Sequence, residues 1–120
     1  MDKTVLIVED NELNMQLFHE LLETHGYDVI QSTDGKDTLE LARDHQPGLV
    51  IMDIQLPEVS GLDRTRMLKT DEAVKDIPVL AVTAFDLEGG IEKIVAAGCD
   101  DVLGKPIDNG YFLKMVGRYF

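Results

Sequence analysis

Glu9, Asp10, Asp53, Thr83 and Lys105 each follow an apolar run. Thr4-Val-Leu-Ile-Val8 leads into Glu9 and Asp10, Leu49-Val-Ile-Met52 into Asp53, Pro78-Val-Leu-Ala-Val82 into Thr83, and Asp101-Val-Leu-Gly104 into Lys105. Runs of this kind read as buried strands, and an open α/β sheet binds its ligands in the crevice beyond the strand C-termini. If the strands are parallel neighbours, these acids, the hydroxyl and the amine converge on one edge. Carboxylates crowded together repel, and the crowding raises at least one of their pKa values. A bound cation relieves that conflict. Mg²⁺ is the natural candidate, because it takes oxygen ligands, keeps several waters and is commonly held by one or two carboxylates together with phosphate oxygens. Cys99 is the only cysteine and the histidines form no spaced cluster, which argues against zinc. His19, His25 and His45 fall in or beside predicted helices, as surface or packing residues.

An aspartate can attack phosphorus to give an aspartyl phosphate, provided the charge on the phosphoryl oxygens is stabilised. Asp53 is the candidate nucleophile. Lys105 would act as a point charge on the phosphoryl group and would pair with a carboxylate in its absence. Thr83 offers a hydroxyl donor. Each has a plainer reading when taken alone: Glu9-Asp10 as solvated acid favoured by a helix start, Thr83 as a β-branched residue ending a strand, Lys105 as a surface amine. The set is harder to dismiss than its members.

Strand-type runs alternate with stretches of helical period along the whole chain, the pattern of βα units around a parallel sheet, so the fold class is α/β. After the first strand, Leu13, Leu17, Phe18, Leu21 and Leu22 mark one helical face, with Asn11 as N-cap and Gly26 as the stop. Tyr27 to Gln31 is a short second strand. Asp34 opens a helix that buries Leu39 and Ala42, and Gln46-Pro47-Gly48 ends it. Pro57 and Gly61 make the loop before a helix over Leu62 to Lys69, and the polar segment Thr70 to Asp76 leads to the fourth strand. The helix Leu87 to Ala97 has Ile91, Ile94 and Val95 on one face and Gly98 at its end, with a first turn weakened by Gly89-Gly90. A last helix begins near Ile107 and turns Tyr111, Phe112, Met115 and Val116 inward.

At 120 residues the chain suits one domain spanning 1–120. Its apolar runs are far short of the roughly 20 residues needed to cross a bilayer, and nothing at the start resembles a signal peptide, so a soluble cytoplasmic protein is expected. The lone Cys99 reads as a small buried thiol. With 23 acidic residues against 11 Lys and Arg, the net charge of -12 repels nucleic acid and anionic lipid. No nucleic acid and no membrane insertion are expected.

These residues, in this order and each at a strand end, resemble the receiver domain of two-component response regulators, over essentially the whole chain. The resemblance is carried by Val8-Glu9-Asp10-Asn11, Met52-Asp53-Ile54-Gln55-Leu56-Pro57 with Gly61, Val82-Thr83-Ala84, and Gly98 through Lys105-Pro106. It implies a flavodoxin-like (βα)5 three-layer sandwich, its parallel sheet in order 2-1-3-4-5, with two helices on one face and three on the other. By position it implies Asp53 as phosphoacceptor, Glu9, Asp10 and Asp53 around Mg²⁺, and Gln55 giving a backbone carbonyl to the metal. Thr83 becomes the switch hydroxyl and Lys105 the amine of the phosphoryl site, followed by a cis Lys105-Pro106 bond. The implied partners are a histidine kinase or phosphotransferase and a downstream protein target. The implied activity is the receiver's own phosphotransfer and dephosphorylation, with no metabolic substrate. Within the family, the run at 8 to 15, the Gln-Leu-Pro-Glu segment and Thr83-Ala84-Phe85 are most similar to stand-alone cell-division regulators of the DivK type, a pattern shared by receivers of hybrid kinases. The chain departs from the family at Val102, where many receivers carry an aromatic residue, and Gly104 makes the loop before Lys105 permissive.

Rival readings are weaker. A phosphohydrolase of the haloacid dehalogenase type would carry a second Asp two residues after the nucleophile, where this chain has Gln55. A flavodoxin-type electron carrier would have a Ser/Thr/Gly-rich phosphate loop in place of Glu9-Asp10-Asn11-Glu12. A pseudo-receiver that binds partners without being phosphorylated would have no need of the complete acid, threonine and lysine set.

Overall fold

A computed structural model describes residues 3–33, 35–55, 60–84 and 87–120, with the side chains of the last segment described from 91 onward. The alternation read from the sequence is realised as β1 (Thr4–Val8), α1 (Glu12–Thr24), β2 (Asp28–Ser32), α2 (Thr38–His45), β3 (Leu49–Asp53), α3 (Gly61–Thr70), β4 (Val79–Thr83), α4 (Leu87–Ala97), β5 (Asp101–Gly104) and α5 (Asn109–Gly117). The strands form one parallel five-stranded sheet in the order β2-β1-β3-β4-β5, as expected.

Side chains alternate across a strand, so each central strand feeds two cores. Val5, Ile7, Leu49, Ile51, Leu80 and Val82 point to one face and pack with Phe18 and Leu22 of α1 and Phe112, Met115 and Val116 of α5. The rings of Phe18 and Phe112 stack there with centroids 4.9 Å apart. Leu6, Val8, Val50, Met52, Val79 and Ala81 point to the other face, against Ala42 of α2, Leu68 of α3 and Ile94 of α4. Two helices therefore cover one face and three the other.

Local chemistry sets the helix ends. The Asn11 side chain accepts from Asn14 N at 3.0 Å and starts α1, and Gly26 takes φ +87° just past its end. Ser60 caps α3 by accepting from Leu62 N at 3.2 Å. Gln46 adopts the left-handed conformation at the end of α2, with Pro47 beyond it. The last helix begins two residues later than Ile107, because Asp108 is its cap and accepts from Tyr111 N at 2.8 Å. Ile107 packs instead against the core that holds Phe112, in the manner of a hydrophobic staple. The expected helix start at Asp34 lies outside the described residues, and α2 is regular from Thr38.

Several expected inward positions face solvent. Leu13 is 77% exposed and Leu17 is also exposed, and Met15 joins Phe18 and Leu22 in the core instead. A helix lying on a sheet buries a narrow stripe, and the first turn of α1 stands at the rim beyond β1. Ile91 and Val95 on α4, and Tyr111 on α5, are likewise exposed, while Ile94 and Ala97 are buried. Cys99 is buried as expected, 3.7 Å from Thr65 Oγ1, and burial pushes its thiol pKa up.

Candidate functional site

The site forms because parallel strands end together. In the sheet register Asp53 lies opposite Val82 and Thr83 opposite Gly104, so the residues leaving β3, β4 and β5 emerge side by side. Val8 lies opposite both Met52 and Ser32, and Glu9 N donates to Ser32 O at 3.0 Å, which fixes the direction in which the chain leaves β1. Lys105 N donates to Thr83 O at 2.8 Å and anchors the end of β5 against β4. The Lys105–Pro106 peptide bond is cis.

Every site residue singled out in the sequence stands on this rim. Asp53 is 3% exposed, Glu9 and Thr83 are fully buried, Lys105 is half-buried, and Asp10 and Gln55 are exposed. Lys105 Nζ lies 3.3 Å from Glu9 Oε1 and 3.4 Å from Asp53 Oδ2, a charge-assisted bridge between the two acids. Asp53 Oδ1 accepts from Gln55 N at 2.9 Å. Gln55 reaches further, for its side-chain Oε1 accepts from Ala84 N at 3.1 Å. The histidines remain outside: His19 Nδ1 is 2.8 Å from Gln31 Nε2 and its other nitrogen pairs with Glu23, His25 binds Leu21 O, and His45 is exposed.

The two buried acids are shifted in opposite directions. Burial, helped by a hydrogen bond to Asp53 and repulsion from it, raises the Glu9 pKa to about 8, against the opposing pull of Asn14 and Lys105. Burial also works to raise Asp53, but the Glu9 hydrogen bond, the Gln55 N–H and the Lys105 charge outweigh it and hold Asp53 below the usual carboxylate range. Shifts in opposite directions are the way two crowded carboxyl groups reduce their mutual repulsion.

Oxygen atoms from Glu9, Asp10 and Asp53 lie within 4.8 Å of one another. Glu9 Oε2 is the one buried side-chain oxygen or nitrogen among the described residues with no hydrogen-bond partner. A buried acceptor without a donor is costly, and a cation at this cluster would satisfy it. An all-oxygen donor set of carboxylates suits a hard cation such as Mg²⁺.

The family model for the response regulator receiver domain matches residues 5–117. The chain belongs to that family. This receiver is 51% identical over 119 residues to the polar-differentiation response regulator DivK of Brucella ovis, covering 99% of this chain and 97% of that protein. The DivK of Brucella anthropi is 50% identical with the same coverage. Among solved structures, the receiver domain of sensor histidine kinase PA1611 from Pseudomonas aeruginosa, crystallised with a magnesium ion in its active-site cleft, matches with TM-score 0.90 and 29% identity, covering 99% of this chain and 98% of that one. Chemotaxis protein CheY4 of Vibrio cholerae shares the fold, with TM-score 0.93 at 24% identity over all of both chains. The DivK-type resemblance read from the sequence is therefore borne out. Among the described residues of the receiver, no helix is long and apolar enough to cross a membrane.

Sequence reasoning missed two features of the receiver's site. It assigned Gln55 only a backbone carbonyl, whereas the side chain ties two loops together. It also treated Gly61 as a loop marker, whereas a Cβ there would stand 2.4 Å from Asp53 O and 2.7 Å from Ile54 Cα. The start of α3 thus lies directly on the backbone that carries Asp53. No signal in a single sequence reveals the first; the second was signalled only by a glycine at the opening of a helix.

Proposed function

We propose that this receiver is a phosphorylation-dependent switch of a two-component phosphorelay, with Asp53 as phosphoacceptor. The observation that carries the reading is the ionised Asp53 carboxylate facing Lys105 Nζ at 3.4 Å beside the buried, unsatisfied Glu9 Oε2. The donor is a phosphohistidine of a histidine kinase or phosphotransferase. An Asp53 carboxylate oxygen bonds to phosphorus as the donor's N–P bond breaks, and the departing imidazole keeps the electron pair and takes a proton. Hydrolysis reverses the state: a water oxygen bonds to phosphorus, the Asp53 O–P bond breaks, and inorganic phosphate leaves.

Glu9, Asp10, Asp53 and the Gln55 backbone carbonyl would hold Mg²⁺, which when bound neutralises charge on the phosphoryl oxygens. Lys105 would leave its resting pairing with Glu9 and Asp53 to neutralise phosphoryl charge. The Thr83 hydroxyl, at the end of β4, donates to a phosphoryl oxygen, and that movement reshapes the start of α4. Phe85 and Asp86, between the two, lie outside the described residues. The output is binding to a downstream protein, in the cytoplasm, in a role akin to polar differentiation as the name of the Brucella relatives suggests.

Intact-mass measurement after incubation with acetyl phosphate and Mg²⁺ tests the reading. A single phosphate adduct, absent with chelator and absent from Asp53→Asn, is expected. No adduct under any condition would make the chain a binding module that works without phosphorylation.

A further inference from the structure

Gln55 hydrogen-bonds both to the Asp53 carboxylate and to the junction leading into α4. Its backbone N–H donates to Asp53 Oδ1 at 2.9 Å, and its side-chain carbonyl accepts from Ala84 N at 3.1 Å, across 29 positions of sequence. Ala84 follows Thr83, the last residue of β4, and α4 begins at Leu87. Any change at Asp53 that moves Gln55 therefore moves the support of this junction. The aromatic residue through which many receivers couple these regions is replaced by Val102, which is half-buried against the core under α2, α3 and α4.

We propose that the Gln55 side chain is a resting-state latch on the β4–α4 junction, released when Asp53 is phosphorylated. The inference rests on Asp53 being the phosphoacceptor. Converting the carboxylate to an acyl phosphate moves negative charge from the carboxyl oxygens to the phosphoryl group, and Oδ1 becomes a weaker acceptor for Gln55 N–H. At the same time the phosphoryl oxygens need donors. Ala84 N–H lies one residue past Thr83, on the rim where β3 and β4 end together, and is held by the neutral Gln55 amide. A hydrogen bond to an ionised oxygen is roughly twice as strong as one between neutral groups, so the phosphoryl oxygen wins the competition. The latch opens, Ala84 turns toward Asp53, and α4 follows its own first turn. Gln55 is a positioning residue here, setting how readily the switched state is reached.

The test uses the full chain with beryllofluoride and Mg²⁺ as the phosphoryl mimic, and compares Gln55→Met, which keeps length and backbone but lacks the carbonyl, with Gln55→Glu, which keeps an acceptor. Amide NMR reads the Ala84 N–H directly. In the resting state Ala84 should exchange about 5-fold faster in Gln55→Met than in wild type, while Gln55→Glu keeps the protection. Because the competitor is gone, Gln55→Met should bind beryllofluoride about 5-fold more tightly. If wild type binds the mimic but Gln55→Met changes neither Ala84 exchange nor affinity, the latch is wrong while the phosphoacceptor reading stands. If wild type neither binds beryllofluoride nor gains a phosphate from acetyl phosphate, both fall together.

Discussion

Lys105 Nζ lies 3.4 Å from Asp53 Oδ2, so the amine at the end of β5 crosses the end of β4 to meet the carboxylate at the end of β3. It touches Glu9, at the end of β1, as well. Three of the five strands, β1, β3 and β5, are thus joined at their C-terminal rim by a single side chain.

Removing that charge should loosen the rim. Lys105→Met leaves the buried, ionised Asp53 without its cation, and a hydrogen bond to a charged group is worth about 1.5–3 kcal/mol. Urea unfolding in the presence of chelator should show a loss in that range, and added Mg²⁺ should recover part of it. A variant as stable as wild type would mean that the amine is not holding Asp53 in the resting state.

Stability and metal affinity should both depend on pH through Glu9. Its pKa is raised from the ordinary 4.5 to about 8 in the fold, so between those values the folded chain holds a proton that the unfolded chain gives up. The stabilisation linked to that proton is complete below about pH 4.5 and is lost as pH rises through about 8. Asp53, whose pKa is lowered, acts in the opposite sense and only at the acid end. Between the two, metal-free protein should become easier to unfold as pH rises from 6 to 9, and Mg²⁺ should bind more tightly over the same interval because Glu9 no longer has to lose a proton. Denaturant midpoints and Mg²⁺ titrations across that interval check both slopes; Glu9→Gln should flatten them.

Gly61 leaves no room for a side chain. The Cβ of Gly61→Ala would sit 2.4 Å from Asp53 O, and the backbone it meets cannot rotate away. Overpacking of this kind costs about 1–3 kcal/mol, and the displacement falls on Asp53 itself. The variant should lose stability and gain phosphate from acetyl phosphate more slowly than wild type, measured by thermal melting and by the rate of adduct formation.

The opposite pole should be separable from the chemistry. Lys69 Nζ donates to Ile77 O at 3.0 Å and to Asp100 Oδ2 at 2.7 Å, and Asp100 Oδ2 also accepts from Val79 N at 2.8 Å. This knot ties the end of α3 and the turn after α4 to the start of β4. Lys69→Met should cost about 1–2 kcal/mol in urea unfolding and leave the rate of adduct formation unchanged. A matching drop in phosphorylation would show that the two poles are not independent.

The site was legible in the sequence because its geometry follows from one rule. Parallel strands in register end together, so Glu9, Asp53, Thr83 and Lys105 could be placed on one edge from their position after apolar runs alone. What the rule does not contain is how loops meet. The bond between Gln55 and Ala84 depends on the relative height of two turns, and no periodicity encodes it. Helical counting also overreached at Leu13, Ile91 and Val95, where an apolar residue at the right spacing remains exposed because a helix on a sheet buries only a narrow stripe. Ile107 misled in the other direction: it belongs to the core but precedes the cap at Asp108.

Strands β1 and β3 are shielded on both faces, and every residue of β3 is buried. Close-packed interiors of this kind have low compressibility and transmit strain rather than absorb it. In the proposed role of Asp53 as phosphoacceptor, the sheet would serve as fixed ground, and the movement would fall on the edge where turns and helix starts have room to shift.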